Sequence, residues 1–130
     1  MSAGVVAVID DEQILCEVLT EVLAAEGYAA RGFASAQECL AATDAGFRPS
    51  LIFVDLRMRG LSGAGFVERL RQRPWGAAVH VYVVTGSMLQ RDYPPRGSVD
   101  GVINKPFDLE EILEVAARHL ERPGARQAGA

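Results

Sequence analysis

Lysine is almost missing from this 130-residue chain: Lys105 is the only one among 13 basic residues, and the rest are arginine. Cysteine is scarce too. Cys16 and Cys39 both fall in predicted helices without metal-site spacing, and they read as small buried hydrophobes in a reducing compartment. A disulfide framework is not needed, because a chain of this length buries roughly two-thirds of the surface its unfolded form exposes. No apolar run approaches the ~18 residues of a membrane span. The N-terminus, MSAGVVAVIDDE, has no basic region, and its short apolar run ends in acids, unlike a signal peptide. Positive charge is not in excess: the net charge is −4, which argues against a general nucleic-acid or membrane-surface binder. There is no internal repeat, low-complexity stretch or internal linker. Only the last nine residues lack apolar periodicity. The expected organisation is one domain over 1–122 and a disordered tail over 123–130. That implies a free-standing cytoplasmic protein, with no receptor part, second enzyme domain or fused output segment.

What is present alternates between two periods. Gly4–Ile9 (GVVAVI), Leu51–Val54 (LIFV), Val79–Val84 (VHVYVV) and Gly101–Asn104 (GVIN) are short continuous apolar runs, the pattern of strands covered on both faces; Tyr28–Phe33 is a weaker one. Between them the apolar spacing is helical. From Asp11 to Glu26 it places Ile14, Leu15, Val18, Leu19, Val22 and Leu23 on one face predicted to be buried, with Gly27 as the stop. Ser35-Ala36-Gln37-Glu38 is a capping box, Ser62 caps a helix carrying Phe66, Val67 and Leu70, and Asp108 caps the last helix. Phe107 and Ile112 can staple that last helix across its cap. Alternating strands and helices predict an α/β domain: a doubly wound, five-stranded parallel sheet of order 2-1-3-4-5, flavodoxin-like. The fourth helix is predicted to be short or irregular. It could run over 87–92 and no further, because Pro94 and Pro95 block it.

The polar residues fall at strand ends. Asp10 and Asp11 follow the first strand, Asp55 the third, Thr85 the fourth and Lys105 the fifth. In a parallel sheet all these ends share one edge, where such folds bind their ligands. Three carboxylates brought together repel by ~4 kcal/mol per pair at 4 Å and an effective dielectric near 20. A hard, oxygen-preferring cation relieves this, and Mg²⁺ suits such a ligand set. Lys105 and the Thr85 hydroxyl suit a phosphoryl group, and a carboxylate can be the nucleophile that receives it. Asp55, between the metal side and the lysine side, is the best candidate.

Four segments carry a resemblance: Val8-Ile9-Asp10-Asp11-Glu12; Phe53-Val54-Asp55-Leu56-Arg57-Met58 with Gly60-Leu61-Ser62-Gly63; Val83-Val84-Thr85-Gly86; and Asn104-Lys105-Pro106-Phe107. Taken in order, the chain resembles a receiver domain of two-component response regulators, of the free-standing chemotaxis type, over about residues 4–121. The resemblance implies that Asp55 accepts phosphate from a phosphohistidine on a sensor histidine kinase or histidine phosphotransfer protein. It implies that Asp11, Asp55 and the backbone carbonyl of Arg57 hold Mg²⁺, with Asp10 acting through bound water. It further implies that Lys105 pairs with Asp55 and then with the phosphate, that the Lys105–Pro106 bond is cis, and that Thr85 swings toward the phosphate. An unknown downstream protein would read the change; nucleic acid and membrane are not expected partners. The chain would promote only its own phosphorylation and slow dephosphorylation, without a separate substrate.

Three departures stand out. Arg59 replaces the proline usual four residues after the acceptor. Val102 replaces the aromatic usual three residues before the lysine, which alters the coupling of Thr85 to the output face. The prolines at 94 and 95 curtail the fourth helix. A phosphorylation-independent interaction module is therefore the alternative reading. An aspartyl phosphohydrolase fits less well, because the Asp-x-Asp pattern such enzymes usually carry after the first strand and their cap domain are not here; a flavodoxin fits less well, because the loop after the first strand is acidic, not the hydroxyl-rich loop an FMN phosphate needs. Arg57 and Ser87, two residues past Asp55 and Thr85, are expected at the site's mouth, gating the water that ends the phosphorylated state. Arg57, Arg59, Arg69, Arg71 and Arg73 form a local basic cluster, read as a solvated face more than a docking patch. His80 and Trp75 are read as structural.

Overall fold

Alternation along the strands sorts their side chains onto the two faces of one sheet. The computed structural model describes residues 4–86 and 93–120. It runs β1 (Val5–Ile9), α1 (Gln13–Ala25), β2 (Ala29–Phe33), α2 (Ala36–Asp44), β3 (Leu51–Val54), α3 (Gly63–Arg71), a 3₁₀ turn (Gly76–Ala78), β4 (His80–Thr85), β5 (Gly101–Asn104) and α4 (Leu109–His119). Every neighbouring pair is parallel and the order is β2-β1-β3-β4-β5, as the sequence predicts. Val6, Val8, Leu51, Phe53, Tyr82 and Val84 face α1 and α4, while Ala7, Ile9, Ile52, Val54, Val81 and Val83 face α2 and α3. A strand covered twice has no polar face, so its sequence shows a continuous apolar run.

The caps form where the sequence places them. Ser35 Oγ accepts the Glu38 N–H at 3.2 Å, and Ser62 Oγ accepts the Gly65 N–H at 3.1 Å. The Asp108 N–H reaches Glu111 Oε1 at 3.3 Å. Gly27 ends α1 at φ 94, a conformation that carries almost no penalty only for glycine, and its N–H closes on the Ala24 carbonyl. Phe107 packs against the cluster that contains Ile112. No helix among the described residues is long and apolar enough to cross a membrane.

The structure departs from the reading on α1. Ile14 is 78% exposed and Val18 is also exposed; Cys16, Leu19 and Leu23 carry the buried stripe instead. The six apolar positions span a wider arc than one sheet face covers, so the edge of the arc is left in water. The arginine cluster also divides. Arg71 donates to the carbonyls of Gly76, Val79 and Ser98, tying α3 to the start of β4 and the turn before β5. Arg73 forks onto the Asp44 carboxylate at the end of α2. These two are structural, because a guanidinium with several fixed acceptors is not available to a partner. The possible helix over 87–92 and the tail over 123–130 lie outside the described residues. Residues 93–100 run through turns and bends, with Pro94 buried.

Two substitutions test this packing. Phe66, fully buried under the sheet, is expected to cost about 3–5 kcal/mol of stability when truncated to alanine. A Cβ at Gly63 would land on the backbone carbonyl of Asp55 and the Cα of Leu56, neither of which can swing away. Gly63→Ala is therefore expected to cost about 1–3 kcal/mol. Denaturant unfolding checks both, and a Gly63→Ala midpoint equal to wild type would refute the tight α3–β3 seam.

Candidate functional site

Each site residue at the sheet edge except Asp11 and Thr85 is the first residue past its strand. Asp10 donates its N–H to the Phe33 carbonyl of β2 at 3.1 Å, Asp55 to the Ile9 carbonyl of β1 at 3.0 Å, and Lys105 to the Thr85 carbonyl of β4 at 2.9 Å. The sheet ladder thus continues one residue beyond the strands and fixes the Cα atoms from which the functional side chains project. Thr85 ends β4, is buried, and stands in register with Asn104.

Asp10, Asp11 and Asp55 each bring a carboxylate oxygen within 4.8 Å of the others. Asp10 and Asp55 are buried and Asp11 is exposed. The Lys105 ammonium bridges the two buried acids, 3.0 Å from Asp10 Oδ2 and 3.3 Å from Asp55 Oδ2. The resemblance implies Asp55 as its partner; Asp10 is nearer. The remaining oxygens take backbone donors: Asp10 Oδ1 accepts the Glu12 N–H at 2.8 Å, and Asp55 Oδ1 accepts the Arg57 N–H at 3.3 Å. Asp11 Oδ2 accepts the Arg59 N–H at 3.4 Å, a contact that spans 48 positions. The Lys105–Pro106 bond is cis.

Burial pushes the Asp55 carboxyl above the usual carboxylate range, and the charge of Asp10 adds to this, although Lys105 and the Arg57 N–H pull the other way. Burial alone would lower Lys105; its hydrogen bond and attraction to Asp10, and then Asp55, outweigh that and hold the ammonium above its ordinary value. Net charge is thus three acids against one cation, with Glu12 Oε1 a further 3.6 Å contact on Lys105 from the solvent side. A set of closely spaced carboxylate oxygens with no nitrogen or sulfur donor fits a hard divalent cation.

Arg57 is exposed and lines, with Asp11, Met58, Arg59 and Ser62, a cleft of about 420 Å³ beside the acids. Ser87 lies outside the described residues. Val102 is 37% exposed on β5, one register step before Ile103, so no ring fills the space that a larger side chain there would take. Two contributors were not assigned roles from sequence. Glu12 could have been read from the acid run Asp10-Asp11-Glu12. The Arg59 backbone donor could have been read from the departure at that position, since a proline there would have no N–H to give Asp11.

The comparisons agree with this geometry. The transcriptional regulatory protein TcrA of Mycobacterium tuberculosis is 28% identical over 130 residues, covering 95% of this chain, which spans about half of TcrA's length (51%). A response regulator receiver protein from Pseudomonas putida superposes with a TM-score of 0.80 at 26% identity, covering 91% of this chain and 98% of that one. The response regulator TrrA of Thermotoga maritima, solved in complex with Mg²⁺-BeF, superposes with a TM-score of 0.77 at 24% identity over 88% of this chain and 97% of that one. The family model of the response regulator receiver domain matches residues 6–117, nearly the whole described fold, and the chain belongs to that family.

Proposed function

We propose that the chain is a phosphoacceptor switch in a two-component or phosphorelay pathway, taking a phosphoryl group on Asp55 and passing a changed surface to a protein partner. One observation carries the reading: a buried carboxylate at the end of β3, raised in basicity by burial, has an ammonium on one side and two further carboxylates on the other. The donor is the phosphoimidazole of a sensor histidine kinase or a histidine phosphotransfer protein. Asp10, Asp11 and Asp55 would hold Mg²⁺, with the Arg57 carbonyl as a backbone ligand; TrrA's complex with Mg²⁺-BeF supports this. When bound, the cation neutralises charge on the phosphoryl oxygens.

In the transfer, an Asp55 Oδ atom forms the new O–P bond while the P–N bond to the donor imidazole breaks. The bonding electron pair stays on the imidazole nitrogen, which takes a proton from solvent. Lys105 begins bridged between Asp10 and Asp55 and shifts toward the phosphoryl oxygens as they arrive. Thr85, ending β4, offers its hydroxyl to the same group. Arg57 and Ser87 set how readily water reaches the acyl phosphate. There is no separate substrate, so the chain catalyses only its own modification and its slow reversal. We place it in the cytoplasm, where the kinase's phosphohistidine is made. TcrA is named a transcriptional regulator, so the whole protein's output is compatible with nucleic-acid control, while this chain's acidic balance favours a protein as its direct contact.

Three measurements test the reading. Incubation with a small phosphodonor and Mg²⁺ is expected to add ~80 Da, the mass of a phosphoryl group on a carboxylate nucleophile. Asp55→Asn is expected to abolish that gain, and an unchanged gain in this variant would overturn the assignment. Mg²⁺ is expected to stabilise the fold by about 2.7 kcal/mol at a hundred times its dissociation constant, read by thermal unfolding, with most of that lost in Asp11→Asn. Arg57→Ala is expected to change the decay rate of the phosphorylated form without preventing its formation; an unaltered rate would remove Arg57 from the gate.

A further inference from the structure

The two histidines of this chain meet at the end of the sheet opposite the carboxylates. His80 opens β4 and His119 closes α4, and their rings stack with centroids 4.1 Å apart at 29°. One nitrogen of each is engaged: His80 Nδ1 lies 3.3 Å from Asp100 Oδ1, and His119 Nε2 lies 2.7 Å from Tyr82 Oη. Arg118 Nη1 donates to the same tyrosine oxygen at 3.4 Å. The other two nitrogens, His80 Nε2 and His119 Nδ1, have no partner among the described residues.

Both rings line a cavity of about 300 Å³ together with Arg48, Ser50 and Trp75. The Arg48 guanidinium lies 4.5 Å over the Trp75 ring, and its Nη1 donates to the Thr43 and Phe47 carbonyls. Its orientation is therefore set before any ligand arrives, and its remaining N–H groups have no partner among the described residues. The Ser50 hydroxyl and the Trp75 indole N–H likewise have no partner among the described residues. Among the described residues no carboxylate lines this cavity. Asp100 and Arg71 instead line an adjoining cavity that also reaches His80. In a chain of net charge −4 this is a pocket of hydrogen-bond donors around one fixed cation and two titratable ones.

We propose that this cavity binds a small oxyanion, a phosphate, sulfate or carboxylate group, and that its occupancy is coupled to protonation of the His80–His119 pair. Two imidazolium rings with centroids 4.1 Å apart repel, so the empty pair resists a second proton. The groups facing the pair decide the balance. Asp100, from the turn before β5, favours the first proton. Arg48, after α2, and Arg118, on α4, oppose any proton, and Tyr82 on β4 is neutral. Burial, together with the charge of His80, holds His119 below its ordinary value. An anion in the cavity supplies the missing countercharge. A pre-oriented guanidinium reduces the ordering cost of binding it.

The site is separable from the acid cluster, because five strand steps from His80 to Thr85 place it about 16 Å away. The test is a ring titration of both histidines by NMR on the full chain, free of Mg²⁺, from pH 8 to 5.5. Sodium sulfate, which stays dianionic throughout, is compared with sodium chloride at equal ionic strength, and sodium acetate forms a third arm for a carboxylate. In sulfate or acetate the ring midpoints are expected to move up by at least about 0.5 pH unit relative to chloride, equivalent to a roughly threefold tighter anion on the protonated pair. A shift in sulfate alone assigns a tetrahedral oxyanion, and a shift in acetate alone a carboxylate. Arg48→Ala is expected to abolish the anion effect while leaving the ring stacking and the spectrum of the sheet intact. Equal midpoints in all three salts, or an undiminished shift in Arg48→Ala, would overturn the proposal. Shifts confined to residues 10–12, 55 and 105 would place the anion at the other end and overturn it equally.

Discussion

Repulsion among three carboxylates, offset by a single ammonium, is the constraint that the rest of this structure serves. Left to themselves Asp10, Asp11 and Asp55 would move apart. The sheet prevents this, because the N–H groups of Asp10 and Asp55 are bonded into the ladders of β2 and β1. Moving either carboxylate by more than a side-chain rotation would break a buried backbone hydrogen bond. That costs the desolvation of both groups, about 1–3 kcal/mol each. The repulsion is thus held in place by the strongest element of the fold. It makes the edge hungry for positive charge, and Lys105 answers only part of that demand.

The same sheet separates charge along its length. The carboxyl ends of the strands carry the acids and the only lysine. The opposite end carries both histidines, Arg48 and Arg71, with Asp100 as a local counter-ion. Parallel strands make this separation possible: every strand presents its end to the same edge, so a few residues at the boundaries determine the character of each edge. In an antiparallel sheet the same residues would alternate between edges, and neither cluster could form.

How far the sequence could be read follows from this. The apolar strand runs and the helix caps at Ser35, Ser62 and Asp108 were legible because each depends on neighbours within a few residues, and the order of the sheet followed from the alternation of strands and helices. The acid cluster was legible because parallel topology turns strand ends into spatial neighbours. What escaped depends on contacts without local pattern. Arg71 looked like one of five basic residues until its three carbonyl acceptors, from segments up to 27 positions away, were in view. Ile14 and Val18 share the spacing of Leu19 and Leu23 yet stay exposed, since the packing of α1 against the sheet selects an arc that periodicity leaves too wide. His80 and His119 meet only because α4 returns to the start of β4.

The rigid frame also decides where movement can occur. Thr85 and Lys105 share a backbone hydrogen bond at the β4–β5 edge, and Asp55 is clamped between the β1 ladder and Gly63 at the start of α3. A phosphoryl group on Asp55, as proposed, would therefore not be accommodated by shifting these strands. The added charge would be met first by side chains at the edge, Lys105 above all, whose ammonium already bridges Asp10 and Asp55. β5 is the edge strand beside Thr85, and Val102 on it is partly open to solvent. With no large ring at that position to swing in or out, a change at Thr85 is not relayed by rotation of one bulky side chain. In the described part of the segment before β5, Pro94 is buried and Arg71 grips the Ser98 carbonyl, so a relay from Thr85 through residues 93–100 would have to move backbone, not one ring.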